Sequence, residues 1–225
     1  MTSLAVLTAV DLEARSLARQ LSLAPVGDGA WPHYRSGALE IVGVGLGAAY
    51  LDDRVRTVRR PDFVVSAGAC GALAPTLKTA DLVIPEAVVT DDGARHATDA
   101  LAGLERSGLL LSSRTLADTP AVKARLWMQT GALAADMESA AIIAWARARG
   151  LPVAVIRAVS DTAEQSVPAD LAALVEPGGR VRTTSALRAA LRRPGVVTDA
   201  VMLKRGVDHA LRAVAAALAR VARNA

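Results

Sequence analysis

Cysteine is nearly absent from this 225-residue sequence, which contains only Cys70. A single cysteine excludes an internal disulfide and is typical of proteins in a reducing cytoplasm. Long hydrophobic runs are also missing: no stretch of about 18 uninterrupted apolar residues occurs, so we expect no membrane span. The N-terminal stretch MTSLAVLTAV lacks the basic residues of a signal peptide and is interpreted as a strand. These absences predict a cytoplasmic protein.

Aromatic residues are scarce, at 3% of the sequence, although hydrophobic residues make up 52%. Alanine, valine and leucine must therefore fill the core. A chain of this length can bury a sizeable core, and it contains no internal repeat. We expect one domain over residues 1–225, with a basic helical C-terminal extension from about residue 180.

The net charge of +4 conceals an uneven distribution. Residues 180–225 carry ten Lys/Arg and two Asp, whereas residues 1–179 carry 16 basic and 20 acidic residues. A uniformly basic nucleic-acid-binding protein is therefore not indicated. The last predicted helix, from about Asp199 to Arg223, has one apolar stripe. Its opposite face carries Lys204, Arg205, Asp208, Arg212 and Arg223. That face is either solvated or contacts an anionic membrane surface.

Apolar runs bounded by turn residues alternate with helical patterns along the chain. The runs are LAVLTAV, LEIVGVG, DFVVSAG, DLVIPEAVV, GLLLSS and PVAVIRAVS. The helical patterns are DLEARSLARQL, GAAYLDDRVRTVRR and ESAAIIAWARARG. This alternation predicts an α/β protein with a largely parallel or mixed sheet. Pro85 favours an edge strand or a bulge, and residues 90–107 are predicted to form a surface connection.

Two glycine-rich stretches follow predicted strands. IVGVGLGAAY resembles a dinucleotide fingerprint, but its third glycine comes two residues after the second rather than three. We favour a tight strand-to-helix turn there, and we predict no cofactor. In SAGACGALAPTLKTADLVIP, Gly68 and Gly71 come directly after a buried strand, where ligands usually approach in open α/β sheets. Close packing of helices is the alternative explanation for its small residues.

Five charged residues stand where the surrounding sequence is apolar or where strands end. Glu13 follows the first strand, Asp136 and Glu138 precede a helix, Arg157 interrupts a valine-rich strand, and Asp161 ends that strand. Each acid alone is explained by capping or turn formation. Arg157 requires a buried partner, because an unpaired buried charge is costly. Together they predict a cleft suited to chemistry in which positive charge develops on a bound sugar.

The sequence resembles the nucleoside phosphorylase/nucleosidase superfamily, especially its methylthioadenosine/S-adenosylhomocysteine nucleosidase branch. The matching segments are AVDLEARSL, IVGVGLGAAY, GACGALAPTLKTADLVIP and ADMESAAIIAWARARGLPVAVIRAVSD, in this order. The resemblance implies a three-layer α/β/α fold with a central mixed sheet. The basic segment PGGRVRTTSALRAALRRPG and a short region 90–130 are closer to the hopanoid-associated phosphorylase branch. That branch is implicated in removing adenine from adenosylhopane.

The resemblance assigns roles to the acids. Asp161 helps to protonate the leaving purine at N7, with either a stored proton or one relayed from solvent, and Ser160 orients it. Glu138 binds the ribose hydroxyls and stabilises the oxocarbenium-like transition state. Met137 forms an apolar wall of the sugar platform. Glu13 corresponds to the acid that activates water in the hydrolytic members.

Further substrate contacts are predicted around these acids. Arg157 is expected to pair with Glu13 or Glu138, and Asp136 is interpreted as a helix cap. The segment Ala69, Cys70 and Gly71 is predicted to contact the substrate. Leu116 stands where nucleosidases place an aromatic residue against adenine, and the backbone near Ala117 reads the purine edge.

Water is the favoured nucleophile. Phosphorylases of the superfamily hold phosphate with an arginine and a serine where this chain has Ser66 and Ala69. Arg15, Arg54 and Arg95 are the alternative phosphate ligands. The competing hypotheses are a methylthioadenosine/S-adenosylhomocysteine nucleosidase, a phosphate-dependent phosphorylase and a nucleotide-binding module without chemistry.

No metal site is predicted, since His33, His96 and His209 lack ligand spacing. His96 is interpreted as a surface-loop residue, with the 5′ end of the substrate as its alternative neighbour. The resemblance also implies a homodimer or larger homo-oligomer, with a purine nucleoside as the small-molecule partner.

Overall fold

The computed structural model describes residues 2–167, 176, 178–179 and 195–224. Its strands are β1 (Leu4–Thr8), β2 (Ala24–Pro25), β3 (His33–Ser36), β4 (Leu39–Gly43), β5 (Phe63–Ala72), β6 (Leu82–Val83), β7 (Ala87–Thr90), β8 (Arg95–Ala97), β9 (Leu109–Ser112), β10 (Ala134–Asp136) and β11 (Val153–Asp161). Its α-helices are α1 (Asp11–Gln20), α2 (Leu51–Arg54), α3 (Pro120–Thr130), α4 (Ser139–Arg147) and α5 (Gly195–Asn224).

The strands of this part of the chain form one mixed sheet that branches at β5. The main path runs β2-β3-β4-β1-β5-β10-β9-β7-β8, and β11 pairs with both β5 and β6. The first half of β5 lies beside β1, and its end lies beside β10. Strand β11 runs parallel to β5 over most of its length, with a register shift between Val159 and Asp161. Strand β5 therefore pairs with both β10 and β11, and the ends of these two strands lie close together.

Helices cover both faces of the sheet. On one face, α1 and α5 pack against β1, β4, β5 and β11 in a core that includes Leu17 and Leu211. On the other face, α4 packs through Ile142 and Ile143 beside Leu51 of α2. Most of the core side chains are alanine, valine, leucine or isoleucine, as the low aromatic content predicts. The predicted three-layer α/β/α fold is confirmed.

One helix prediction needs correction, and one helix was missed. The segment GAAYLDDRVRTVRR forms only the four-residue α2, flanked by 3₁₀ turns at Leu46–Ala48 and Val55–Thr57. Helix α3 was not predicted, although its sequence marks both ends. The Thr119 side chain caps its start by accepting a hydrogen bond from the Val122 N–H, and Pro120 occupies its first turn. Gly131 ends it with a left-handed φ of 66°.

The region around Pro85 also differs from the sequence interpretation. The apolar run DLVIPEAVV divides into β6 and β7, which pair with different strands. Residues 90–107 are more than a surface connection, because they contain β8 and bury Leu101 and Leu104 in the core. The basic segment PGGRVRTTSALRAALRRPG lies outside the described residues, apart from residues 178, 179 and 195.

Helix α5 confirms the predicted apolar stripe. Its side chains Leu211, Val214 and Leu218 are fully buried, whereas Lys204 and Arg212 are exposed. The apolar stripe of the helix packs in the core, where it covers β11 and α1. None of the helices in the described part of the chain combines the length and the apolar character that crossing a bilayer requires.

We predict that Gly206→Ala destabilises the fold. A Cβ at residue 206 of α5 would lie 2.0 Å from the Ser160 carbonyl oxygen of β11. Alanine normally favours a helix over glycine by about 1 kcal/mol, but the helix must move away from the strand to admit the methyl group. Urea unfolding should show a net loss of about 1–3 kcal/mol. The matched control is Ala216→Ser on the exposed face of α5, which should change little; a stabilised Gly206→Ala protein would contradict the packing.

Candidate active site

One cavity of about 220 Å³ opens where the segments after β1, β4, β9 and β10 meet the ends of β5 and β11. The three predicted functional acids, Glu13, Glu138 and Asp161, all line it. Its other lining residues are Ala9, Val10, Leu46, Ala69, Cys70, Gly71, Thr115, Leu116, Ala117, Ala135, Asp136, Met137, Ser160, Val167 and Leu203. Acids from three distant parts of the chain thus face the same space.

Glu13 occupies the third position of α1 and is fixed by backbone donors. Its Oε2 accepts hydrogen bonds from the N–H groups of Ala9 (3.1 Å) and Val10 (3.3 Å), which satisfies donors at the helix start. Its Oε1 accepts the Ala69 N–H of β5 at 2.8 Å. Burial raises the pKa of Glu13, and the Arg157 charge opposes that rise. One carboxylate therefore caps the helix and also reaches the cavity.

Glu138 lies at the N-terminal end of α4, directly after β10. Its Oε1 accepts the N–H of Gly47 at 2.9 Å, so the first glycine-rich stretch holds this acid. Gly47 has a left-handed φ of 58° that aims its N–H inward. Burial raises the pKa of Glu138 to about 7, although Arg157 acts in the opposite direction. The favoured tight-turn interpretation of IVGVGLGAAY agrees with this geometry.

Arg157 lies behind the cavity and does not line it. Its Nη2 is 2.7 Å from Asp136 Oδ2 but 3.9 Å from Glu138 Oε2. Asp136 is therefore the direct partner of Arg157, and the expected partners, Glu13 and Glu138, lie farther from its Nη2. The interpretation of Asp136 as a cap was incomplete: besides accepting the Ser139 N–H at the start of α4 at 3.2 Å, it pairs with Arg157. The pair is fully buried, so the guanidinium is neutralised inside the protein.

Gly68 allows the Glu13 carboxylate and the Arg157 guanidinium to approach β5 closely. The second glycine-rich stretch does not follow the strand as predicted, since residues through Ala72 belong to β5. A Cβ at residue 68 would lie 2.5 Å from Glu13 Oε1 and 2.6 Å from Arg157 Nη1. Any side chain there would displace both groups. The glycine is therefore required by close approach rather than by a turn.

Asp161 ends β11, and both of its carboxylate oxygens have neighbours. Ser160 Oγ lies 2.6 Å from Oδ1, which agrees with the predicted orienting contact. On the other side, the ammonium of Lys123 donates to Oδ2 at 2.6 Å. Lys123 lies on α3 and is fully buried. It was missed by the sequence analysis because the helix that carries it was missed, although Thr119, Pro120 and Gly131 mark that helix.

The remaining predicted contacts form the apolar walls of the cavity. Ala69 and Gly71 lie on β5, and Gly71 leaves room for Asp161, whose Oδ2 would lie 3.0 Å from a Cβ there. Burial raises the pKa of the Cys70 thiol, so it remains protonated and serves as a small apolar surface. Leu116 is partly exposed at the cavity, whereas Ala117 is buried.

Positive side chains are missing from the cavity walls in the described residues. Arg54 instead donates to the carbonyl oxygens of Gly43 (2.7 Å) and Gly178 (3.1 Å). Arg15 is largely exposed beside Asp11, and Arg95 is exposed on β8. The predicted alternative phosphate ligands are therefore not gathered at this cavity. His96 lines a different, larger cavity, which shares Met137 with this one. No group of His, Cys, Asp and Glu side chains in the described residues has the arrangement of a metal site.

Ten of the eleven residues predicted for the site line this one cavity; Arg157 supports it from behind. The structure also adds Asp136 to the walls, together with the hydrophobic Leu46, Val167 and Leu203. No sequence pattern connects Leu203 of α5 with β11, because that proximity comes from helix packing. The individual chemical roles stay predictions.

Comparisons with known proteins find the same fold in solved structures and a match of part of the chain to one family model. The model of the phosphorylase superfamily matches residues 105–192. No curated protein matches the chain. The predicted resemblance to the superfamily is confirmed; the hopanoid-associated branch stays a prediction.

Three similar solved structures cover nearly the whole chain. A 5′-methylthioadenosine/S-adenosylhomocysteine nucleosidase from Helicobacter pylori is 14% identical, with a TM-score of 0.72, covering 100% of this chain and 99% of its own. Futalosine hydrolase from the same organism is 13% identical, with a TM-score of 0.73 and coverages of 100% and 98%. A 5′-methylthioadenosine nucleosidase from Arabidopsis thaliana is 17% identical, with a TM-score of 0.73 and coverages of 99% and 95%. At these identities the similarity establishes the fold.

We predict that Glu138→Gln changes how stability depends on pH. The pKa of Glu138 is about 7 in the folded chain, against 4.5 for an ordinary glutamate. The folded state therefore binds more protons between these values, and its unfolding free energy falls as pH rises through them, by up to about 3 kcal/mol. The glutamine variant lacks this contribution, so it should gain stability relative to the original protein between pH 5 and pH 8.

Urea unfolding at the two pH values measures that gain as a difference between variant and original. Glu105→Gln, at an exposed position, provides the control and should show the same difference from the original at both pH values. A pH-independent difference for Glu138→Gln would show that Glu138 has no raised pKa.

Proposed function

We propose that this chain is a nucleosidase of the phosphorylase superfamily that hydrolyses the N-glycosidic bond of a 5′-substituted purine nucleoside. The observation that carries the proposal is the convergence of Glu13, Glu138 and Asp161 on one cavity. The match to the superfamily model and the fold shared with nucleosidases support a glycosyl hydrolase or phosphorylase. The purine base and the hydrolytic outcome rest on the residues of the cavity and on the sequence resemblance.

The geometry supports a separate role for each acid. Glu138 lies beside Met137 on the platform after β10, where its carboxylate can accept hydrogen bonds from ribose hydroxyls and stabilise positive charge at C1′. Glu13 is held by three backbone N–H groups, and its raised pKa makes its ionised form a stronger base toward water. Asp161 faces the leaving base, which departs as a neutral purine once it is protonated.

Water is supported over phosphate by the charge of the walls. The cavity presents acids, and the described residues place no arginine or lysine on its surface. A phosphate dianion would meet like charges there without a charged donor. A water molecule carries no such penalty and gives up one proton to Glu13 as it attacks C1′.

An apolar 5′-substituent is supported by the hydrophobic lining. Leu46, Leu116, Met137, Val167 and Leu203 contribute to the cavity, and Leu116 is exposed at its edge. These surfaces are compatible with a hydrocarbon substituent, such as the hopane group of adenosylhopane, which is the substrate we propose. Methylthioadenosine has a shorter apolar 5′-substituent and is the alternative. The homo-oligomer implied by the resemblance forms part of the proposal.

We expect purified protein to release adenine from 5′-substituted adenosines in the absence of phosphate. Adenosylhopane, methylthioadenosine and S-adenosylhomocysteine should be compared by chromatographic detection of the free base. Addition of phosphate should leave the rate unchanged and should produce no ribose 1-phosphate product. A strict phosphate requirement would refute the hydrolytic proposal, and preferred cleavage of methylthioadenosine would refute the proposed substrate.

We expect Asp161→Asn to reduce kcat by about 10²–10⁴-fold, because an amide cannot relay a proton to the purine. The control Asp53→Asn neutralises a largely exposed aspartate on α2 and should retain full activity. Base release should be followed for both variants, with circular dichroism to confirm folding. Near-normal turnover by a folded Asp161→Asn protein would exclude the assigned role.

A lipid substrate would also require access to a membrane surface. The exposed side of α5 carries Arg205 and Arg212, whereas its apolar stripe is occupied by the core. We expect Arg205→Gln/Arg212→Gln to weaken binding to phosphatidylglycerol vesicles, measured by co-sedimentation, by about 30-fold, since each basic residue near an anionic surface contributes about 1 kcal/mol. Neutral phosphatidylcholine vesicles are the control. Equal binding of both proteins to both vesicle types would refute a membrane role for α5.

A further inference from the structure

Lys123 is a fully buried lysine that the mechanism above does not use. It lies in the first turn of α3, and its Nζ donates to three acceptors within 3 Å. These are Asp161 Oδ2 at 2.6 Å, the Thr162 carbonyl oxygen at 2.7 Å and the Gln165 carbonyl oxygen at 2.8 Å. The side chain therefore contacts the end of β11 and the loop that follows it.

The number of acceptors identifies the charge of this lysine. An ammonium has three N–H donors, whereas a neutral amine has two. Three acceptors within hydrogen-bond distance match the ammonium and would leave a neutral amine one donor short. A buried ammonium requires a counter-charge, and Asp161 is the acid in direct contact with it.

The other oxygen of Asp161 is compatible with two proton arrangements. Ser160 Oγ lies 2.6 Å from Asp161 Oδ1 and 3.2 Å from the Cys70 carbonyl oxygen. A hydroxyl has one proton, so Ser160 donates either to an ionised Asp161 or to Cys70 while accepting from a protonated Asp161. Lys123 distinguishes these arrangements, because an adjacent positive charge favours the carboxylate.

Other titratable groups surround Asp161 from the neighbouring elements. Cys70 of β5 lies on the same wall, and burial keeps its thiol protonated. Glu13 of α1 and Glu138 after β10 line the same cavity, and Asp136 is paired with Arg157 of β11. Acids nearby would favour protonation of Asp161, so the ammonium is the group in direct contact that opposes it.

We propose that Lys123 is a positioning residue that keeps Asp161 ionised. Asp161 then relays a proton from solvent to the purine and is not already protonated when the substrate binds. This inference rests on the proposed function. As the C1′–N9 bond breaks, its electron pair stays with the purine, and N7 takes a proton that enters from solvent through Asp161. The attacking water loses a proton to Glu13, which later releases it. One proton enters and one leaves in each turnover.

The test is the pH profile of kcat/KM for Lys123→Met, which removes the charge but keeps an unbranched side chain. If ionised Asp161 is the active form, loss of the ammonium allows it to protonate more readily. The acidic limb should then move to higher pH. The control Lys204→Met breaks an exposed lysine–aspartate pair of 2.9 Å on α5 and should leave the profile unchanged.

Two results would overturn the inference. The first is a lower plateau with both limbs unmoved, which indicates a structural role alone. The second is a basic limb that moves upward with higher activity near neutral pH, which indicates that protonated Asp161 is the active form. Absence of base release by the original protein would instead overturn the proposed function itself.

A thermal-unfolding cycle tests the pair even if Lys123→Met is too unstable to assay. Lys123→Met and Asp161→Asn each leave one buried charge without its partner, so each should lower Tm. The double variant leaves neither charge and should recover most of the loss. Additive losses in the double variant would show that Lys123 and Asp161 are not coupled, and would refute the inference without an activity measurement.

Discussion

The site depends on the neutralisation of buried charge. Asp136, Glu138 and Asp161 are buried together with Glu13, and among the described residues Arg157 and Lys123 are the cations in contact with this group. Removal of one partner from a buried ion pair typically costs about 3–5 kcal/mol. The positions of the two cations therefore constrain where the acids lie, and the acids constrain the ends of β5, β10 and β11.

Small residues in β5 are a consequence of this constraint. The carboxylate of Glu13 and the guanidinium of Arg157 both approach the backbone at Gly68, and the Asp161 carboxylate approaches Gly71. A chain with larger residues there would have to move the charges apart. Charged side chains therefore pack against β5 where that strand has glycine. The low aromatic content of the sequence agrees with close backbone approach throughout this region.

Much of the fold and of the site could be predicted from the sequence, because the patterns that indicate them lie within short segments or repeat along the chain. Long apolar strands and the stripe of α5 gave the α/β class, and acids at strand ends gave the cavity. The direct partner of Arg157 was missed, because sequence spacing does not report side-chain direction: Asp136 ends β10 and turns inward, whereas the expected partner Glu138 forms the longer ion pair. Lys123 was missed for a related reason, since a lysine in a helix is ordinarily exposed and only the tertiary position of α3 buries it.

The two cations divide the cavity into electrically distinct halves. Arg157 neutralises Asp136 from behind, which leaves Glu138 and Glu13 as acids without a cation in direct contact around the proposed sugar position. Lys123 neutralises Asp161 on the proposed side of the base. Acids are thus in excess over cations where the proposed oxocarbenium ion would form, and an acid is paired with a cation where the purine would leave. Such an arrangement favours the charge separation of glycosidic bond cleavage, and it disfavours an anionic nucleophile in the same space.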